Sequence, residues 1–213
     1  MDDLTESHFW AMLNQESQAV LENNSTISTY SRGLSFLRYP SDPLLVLDGI
    51  ICLTTFERTN MILVPGDMVL SPDFRPQISY TAAMTDADLS SLYSNQRWQC
   101  ISEVKIAIFN SDAVSGLLES NQSFTRAVLN CQLNLLGQMS FLQANLYHYS
   151  AYHAVRYIMR LCQIYGIGNL THAQIAMLCS RNRSTVTQAI HEICLAEPDF
   201  FGSIDESSEM DRP

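Results

Sequence analysis

The sequence is short of charge, of long apolar runs and of paired cysteines, and each shortage closes off a class of answer. Asp, Glu, Lys and Arg make up only 16% of the 213 residues, while 46% are hydrophobic; a disordered, solvating chain has the opposite balance. No apolar run approaches the ~20 residues that span a bilayer. The opening "MDDLTESHFW" is acidic, where a secretory signal begins basic and turns apolar. The expectation is a cytoplasmic protein with no membrane partner. Six cysteines (Cys52, Cys100, Cys131, Cys162, Cys179 and Cys194) are scattered without a CxxC pair, so they read as buried thiols in a reducing compartment.

Marks of catalysis are missing too. No Ser–His–Asp order, paired-carboxylate spacing, Gly-rich phosphate loop or metal motif stands out. The five histidines (His8, His148, His153, His172 and His191) show no ligand spacing. His191 and Cys194, three apart on one helix, could share a metal, but read as a surface imidazole and a buried thiol. No enzyme, metal site or cofactor is expected.

The charge that is present is unevenly placed. The formal net charge is -10, yet residues 1–22 and residues 196–213 each sum to -5, which leaves the stretch between them neutral. Within it, residues 150–195 hold Arg156, Arg160, Arg181 and Arg183 against Glu192, a local +3. An acidic chain thus carries a basic segment, which removes the main objection to a nucleic-acid partner.

Along the chain the texture changes twice. Residues 1–25 contain "HFWAMLNQESQAVLE", a short amphipathic helix ended by "NNST". From Ser28 to Phe109, β-rich runs ("LLVLDGIICLTTF", "NMILVPGDMVL", "QISYTAAMT", "WQCISEVKIAIF") alternate with turn signals at Asp48-Gly49 and Pro65-Gly66-Asp67. That spacing fits an antiparallel sandwich or roll. After Asn110 the pattern is helical. "SDAVSGLLESN" opens with Ser111 and Asp112, either able to cap it. From Ser123 to Tyr147, Val128, Leu135 and Leu142 repeat every seven residues, with Gln132, Met139 and Leu146 four residues on. This heptad-like seam, with a polar slot at Gln132, is assigned to a dimer contact. Leu129, Leu133 and Leu136 form a second apolar stripe beside it. A helix apolar on two faces touches two things, here the roll and a second copy of the chain; a wholly internal core helix fits the same periodicity. A further helix, "SAYHAVRYIMRLCQIYG", ends at Gly166.

The stretch "LTHAQIAMLCSRNRSTVTQAIHEI", Leu170 to Ile193, reads as two short helices around a tight turn. Thr171 with Gln174 three residues later forms a capping box. Ile175 and Leu178 face inward on the first helix, and Ala176 is small where two helices would cross. "CSRN" makes the turn; Ser184 or Thr185 starts the second helix, whose inward face is Val186, Ala189, Ile190 and Ile193. In a helix-turn-helix the second helix enters the major groove with its N-terminal residues at base edges. Arg183 and Gln188 are then base readers, for guanine and adenine, with Ser184 and Thr187 secondary. Arg181, Asn182 and Thr171 are phosphate candidates. Spacing alone leaves an ordinary helical hairpin open.

The order of parts, a β-rich roll, a seam helix, another helix and this motif, resembles the CRP/FNR superfamily of bacterial transcription regulators over roughly residues 28–195. In "QIAMLCSRNRSTVTQAI", Arg183, Thr185 and Val186 match the Arg and Thr-Val that open the family's recognition helix, Ser184 replaces an acidic residue, and Ser180 stands at a turn glycine. "LVLDGIICL", "MILVPGDMV" and "SEVKIAIFNSDAVSGLLESNQSF" resemble successive pieces of the roll and its exit helix. The resemblance implies an α+β fold: an antiparallel β-roll with an N-terminal helix over 1–122, a dimerisation helix over 123–147, a helix-turn-helix domain over 148–195 and an acidic, disordered tail over 196–213. It implies a homodimer on a near-palindromic double-stranded DNA operator, with RNA polymerase or another regulator as a further partner.

Three departures shape the functional expectation. The family's nucleotide cassette has Gly-Glu and Arg-Ser pairs; here Asp67-Met68 and Ile78-Ser79 lie on that ground, and an apolar Ile78 cannot pair with a phosphate, so no response to cyclic nucleotides is expected. Arg75 is close by, between Phe74 and Pro76. The N-terminal cysteine cluster of iron–sulfur sensors is absent, and no haem ligand pair is identifiable. No wing is legible in "EPDFFGSIDESSEMDRP". The leading expectation is a sequence-specific DNA-binding regulator; the alternative is a wingless relative that acts through protein contacts as antagonist or co-regulator.

Overall fold

The computed structural model describes residues 8–36, 42–55, 58–70, 96–142, 148–168 and 170–200. The run "QISYTAAMT", Phe74 to Pro76, Ile78-Ser79, Leu146 and residues 201–213 lie outside the described residues. The fold is α+β, and the chain divides into two compact units, Met1–Gln143 and Ala144–Pro213.

The first unit opens with α1 (His8–Ala11) and α2 (Gln15–Asn23). The single helix expected here breaks because the Asn14 side chain accepts from the Ser17 N–H and starts a second one. Strands β1 (Ser25–Tyr30), β2 (Ser35–Phe36), β3 (Leu44–Asp48), β4 (Ile51–Thr55), β5 (Arg58–Leu63), β6 (Met68–Val69), β7 (Gln96–Cys100) and β8 (Val104–Phe109) follow. They form two antiparallel sheets, ordered β1-β8-β3-β6 and β2-β7-β4-β5. The chain crosses from β3 in the first sheet to β4 in the second through a turn at Gly49, whose φ is +83°; a Cβ there would collide with the Glu103 carbonyl.

Strand alternation sorts the core into two layers. Leu44, Val46, Val104 and Ile106 point between the sheets, where they meet Ile51, Leu53, Leu63, Trp98 and Cys100. Their neighbours Leu45, Ala107 and Phe109 point the other way, onto a layer of helices. That layer comprises α1, α2, α3 (Ser111–Ser120) and α4 (Gln122–Phe141). Neither Ser111 nor Asp112 caps α3: Asn110 does, its carboxamide oxygen accepting from the N–H groups of Asp112 and Ala113. Asn121 caps α4 in the same way through Phe124 N–H.

The inward face of α4 is Phe124, Ala127, Val128, Cys131 and Leu135, all buried. Gln132, the polar slot, donates to the Met68 carbonyl at 2.8 Å, and Cys131 Sγ accepts from Met68 N–H at 3.1 Å. The seam assigned to a dimer contact therefore lies against the chain's own roll: Val128 and Leu135 are in its cores, Leu142 is buried, and Gln132 and Met139 are half-buried. The outward face is the other stripe, with Leu129, Leu133 and Leu136 exposed at 56%, 55% and 58%. One residue of register is 100° of helix rotation, which exchanges the two faces.

The second unit contains α5 (Ala151–Ile164), α6 (His172–Leu178) and α7 (Arg183–Ala196). Ala154, Val155, Ile158 and Cys162 of α5 are buried, as are Ile175, Ala176 and Leu178 of α6 and Val186, Ala189 and Ile193 of α7. Helices α5 and α6 end in the same six-to-one and five-to-two hydrogen-bond pattern. In α5, Ile167 N–H reaches the Cys162 carbonyl and Gly166 N–H the Gln163 carbonyl. In α6, Arg181 N–H reaches Ala176 and Ser180 N–H reaches Met177. The residue between must be left-handed. Gly166 takes φ +62° freely, whereas Ser180 is held at φ +51° with a Cβ.

Two outcomes are expected. Replacing Ser180 with Gly removes a strain of about 1 kcal/mol and raises the thermal midpoint of the second unit by several degrees; an unchanged or lower midpoint in calorimetry contradicts this. Asp67, mostly buried while accepting from Val64 N–H at 2.9 Å, has its carboxyl pushed up to about 6 by desolvation. A raised carboxyl disfavours the folded state at neutral pH, so the first unit gains stability as pH falls through about 6 toward 4. Asp67→Asn keeps the acceptor without the charge. It should stabilise at pH 7 by on the order of 2 kcal/mol and flatten that pH window in urea unfolding, whereas a retained wild-type pH slope contradicts it.

Candidate nucleic-acid interface

The local chemistry of α6 and α7 decides which side chains are free to meet a ligand. At the start of α6 the capping box forms as read: Thr171 Oγ1 accepts from Gln174 N–H at 3.3 Å, and Gln174 Oε1 accepts from Thr171 N–H at 2.9 Å. The Thr171 hydroxyl also donates to Gln174 Oε1, so it is engaged in the cap. The turn then places Asn182 at the N-cap of α7, and the helix begins at Arg183, one residue earlier than Ser184. Asn182 makes no side-chain cap hydrogen bond, and the first turn holds no acidic residue. The unpaired N–H groups of the helix start therefore keep their partial positive charge.

With Val186, Ala189 and Ile193 buried, the opposite face of α7 carries Arg183, Ser184, Gln188 and His191, all exposed. No hydrogen bond holds the Arg183 guanidinium among the described residues. Gln188 Nε2 donates to Glu192 Oε1 at 3.1 Å, one turn on. Thr187 is exposed but bridged: its hydroxyl meets the Arg183 carbonyl at 3.0 Å and His172 Nδ1 at 2.9 Å, which pins α6 to α7. Arg181 is half-buried, and its Nη2 donates to the Tyr149 carbonyl at 2.9 Å, tying the turn to the residues before α5. The structure thus brings Asn182, Arg183, Ser184 and Gln188 together on one open surface, and gives Thr171, Thr187 and Arg181 bonds within the unit.

Sequence reading missed His172, Tyr149 and Glu192. His172 and Tyr149 act across 15 and 32 residues of chain, where no local signal exists; Glu192 lies four residues from Gln188, and that spacing was readable.

The chain past α7 departs from expectation. Ala196 still belongs to α7, and Pro198–Phe200 is a 3₁₀ turn fastened back onto α5. Arg156 grips Glu197 with Nε–Oε1 at 2.7 Å and Nη2–Oε2 at 2.9 Å, and the Tyr152 hydroxyl donates to the same carboxylate at 2.7 Å. Those hydrogen bonds, Arg156 first, hold the Glu197 carboxyl down to about 2. Gln163 donates to the Phe200 carbonyl, and the Arg156 guanidinium lies over the Phe200 ring at 5.4 Å. The first residues of the tail are therefore ordered. Among the described residues no strand follows α7.

Five cysteines are buried, and desolvation pushes the Cys52 and Cys179 thiols up to about 12. Cys194 is the exception to the buried-thiol reading, because position 194 lies off the Val186–Ala189–Ile193 face. No group of three or more metal-ligating side chains occurs among the described residues, and no helix there is long and apolar enough to cross a membrane.

No family model and no curated protein matches this sequence. Solved structures do share its architecture. A protein from Eubacterium rectale, assigned to the CRP/FNR family of transcriptional regulators, superposes with a TM-score of 0.58 at 14% identity, covering 89% of this chain and 87% of its own. FixK2 from Bradyrhizobium japonicum gives 0.59 at 11% identity over 81% and 85%. The c-di-GMP responsive global regulator CLP from Xanthomonas campestris gives 0.58 at 11% identity over 86% and 93%. At such identities the likeness is one of fold: the chain has the fold of the CRP/FNR transcription regulators.

Proposed function

We propose that the chain is a homodimeric, sequence-specific DNA-binding transcription regulator that does not respond to cyclic nucleotides. The observation that carries this reading is the open face of α7, where Arg183, Ser184 and Gln188 stand exposed beside a helix start with no acidic residue in its first turn. In this reading Arg183 takes a guanine, Gln188 an adenine, and Ser184 a base edge or phosphate. Asn182 and the free N–H groups of α7 meet a phosphate. Thr187, Arg181 and Thr171 act one step back, holding the helices that present those groups.

The dimer contact is the stripe that the roll leaves uncovered. Leu129 and Leu136 repeat at seven, with Leu133 between them, a seam of the kind two copies of a helix bury against each other. Two-fold symmetry then calls for two half-sites about one DNA turn apart. Insensitivity to cyclic nucleotides is supported by the apolar filling between the sheets, where Trp98 and Cys100 are fully buried. RNA polymerase or another regulator would receive the output.

One observation favours the second reading, a relative that works through protein contacts. The segment in which a wing would begin is committed to Arg156 and Tyr152 instead, and phosphate contacts supply much of the affinity for DNA. The two readings separate in solution. Leu133→Asp, on an exposed position, should convert a dimer to a monomer in sedimentation equilibrium and abolish high-affinity binding to a selected duplex. Arg183→Ala should remain dimeric and lose about 1–3 kcal/mol, or roughly 5- to 150-fold, on that duplex. Added cAMP should leave the wild-type affinity unchanged. Wild-type affinity in both variants would contradict the assignments of Leu133 and Arg183, and a wild type that selects no duplex would favour the protein-contact reading.

A further inference from the structure

We infer that Glu192 fixes the base that Gln188 reads, making an adenine the preferred base at the Gln188 position of each half-site; this rests on the DNA-reading assignment of α7. Gln188 Nε2 lies 3.1 Å from Glu192 Oε1, and both side chains are exposed on the outward side of α7. An ionised carboxylate only accepts, so it bonds the NH2 end of the amide and rejects the oxygen end. A glutamine free to rotate can offer its NH2 to the acceptors of guanine or thymine as readily as it offers both ends to adenine. With Glu192 in place the amide has one orientation. One Nε2 proton goes to Glu192. In the proposed arrangement the proton given to Glu192 is the one anti to the amide oxygen, which leaves the syn proton and Oε1 on one edge, the donor–acceptor pair that matches N7 and the N6 amino group of adenine.

Two further features fit this role. The pair stands four residues apart, the separation at which helical side chains meet without strain. No ion pair with an Arg or Lys occupies Glu192 among the described residues, so its charge acts on the amide and on the groove beside it. Glu192 is therefore a positioning residue: it reads no base in this account but decides which way its neighbour reads.

The test is selection from a random double-stranded DNA library, followed by sequencing, on full-length wild type, Gln188→Ala, Glu192→Ala and Glu192→Gln. Exposure of both positions leaves the fold intact, and circular dichroism melting checks that. The wild type should yield a motif with one strongly preferred adenine per half-site, which Gln188→Ala renders near uniform. Both Glu192 variants should relax that same position by about tenfold and leave the Arg183-dependent position unchanged. Glu192→Gln is the diagnostic variant, because it keeps the size and a hydrogen bond but accepts either end of the Gln188 amide. An unaltered motif in Glu192→Gln, with or without a uniform loss of affinity, overturns the inference and leaves the DNA-reading assignment standing. No motif from the wild type overturns that assignment and this inference with it.

Discussion

The packing of one helix face against the β-roll sets the terms for everything else. Phe124, Ala127, Val128, Cys131 and Leu135 bury the inner side of α4, and Gln132 and Cys131 bond the Met68 backbone at the rim. Each apolar side chain removed from water there contributes on the order of 1.5–3 kcal/mol, so the rotation of α4 about its axis is not negotiable. Fixing that rotation leaves Leu129, Leu133 and Leu136 in water. An exposed stripe of leucines is the physical ground for proposing a dimer contact on this face.

The same logic of commitment sorts the helix-turn-helix. Polar side chains near the turn fall into those that hold it and those left over. His172, Thr187, Arg181 and the Thr171–Gln174 box hold; Asn182, Arg183, Ser184 and Gln188 are left over. Electrostatics follows the same division. Of the acid that loads the C-terminus, Glu197 is spent on Arg156 and Tyr152. The first turn of α7 holds no acidic residue, and the acid that α7 does carry, Glu192, is bonded to Gln188 further along the helix, so the overall charge of -10 is not gathered at the helix start.

Legibility in the sequence tracked the range of the interaction. The capping box, the Gly166 stop, the turn at Ser180 and the turn at Gly49 depend on a few consecutive residues, and each was readable. The two stripes of α4 were visible as well, but which one faces the roll was not. Val128 and Leu129 differ by one position, and periodicity measures the angle between faces without saying what covers each. The cap of α3 fell at Asn110, one or two residues before the Ser111 and Asp112 that compete for the same role. The clamp from Arg156 to Glu197 spans 41 residues, and the bond from Arg181 to Tyr149 spans 32; neither leaves a local trace. One of these long-range bonds engages Arg181, a side chain the sequence offered as a phosphate contact.

In the proposed complex, two copies of this chain, joined along the outer face of α4, present two α7 helices to one DNA duplex. The most direct measurement is the stoichiometry and symmetry of the complex: sedimentation of wild-type protein on its selected duplex, with hydroxyl-radical footprinting of both strands. The account predicts two chains per duplex and two protected patches related by a dyad, about one helical turn apart. One chain per duplex with a single unsymmetric footprint, or no protection by a protein that is dimeric in solution, would contradict it.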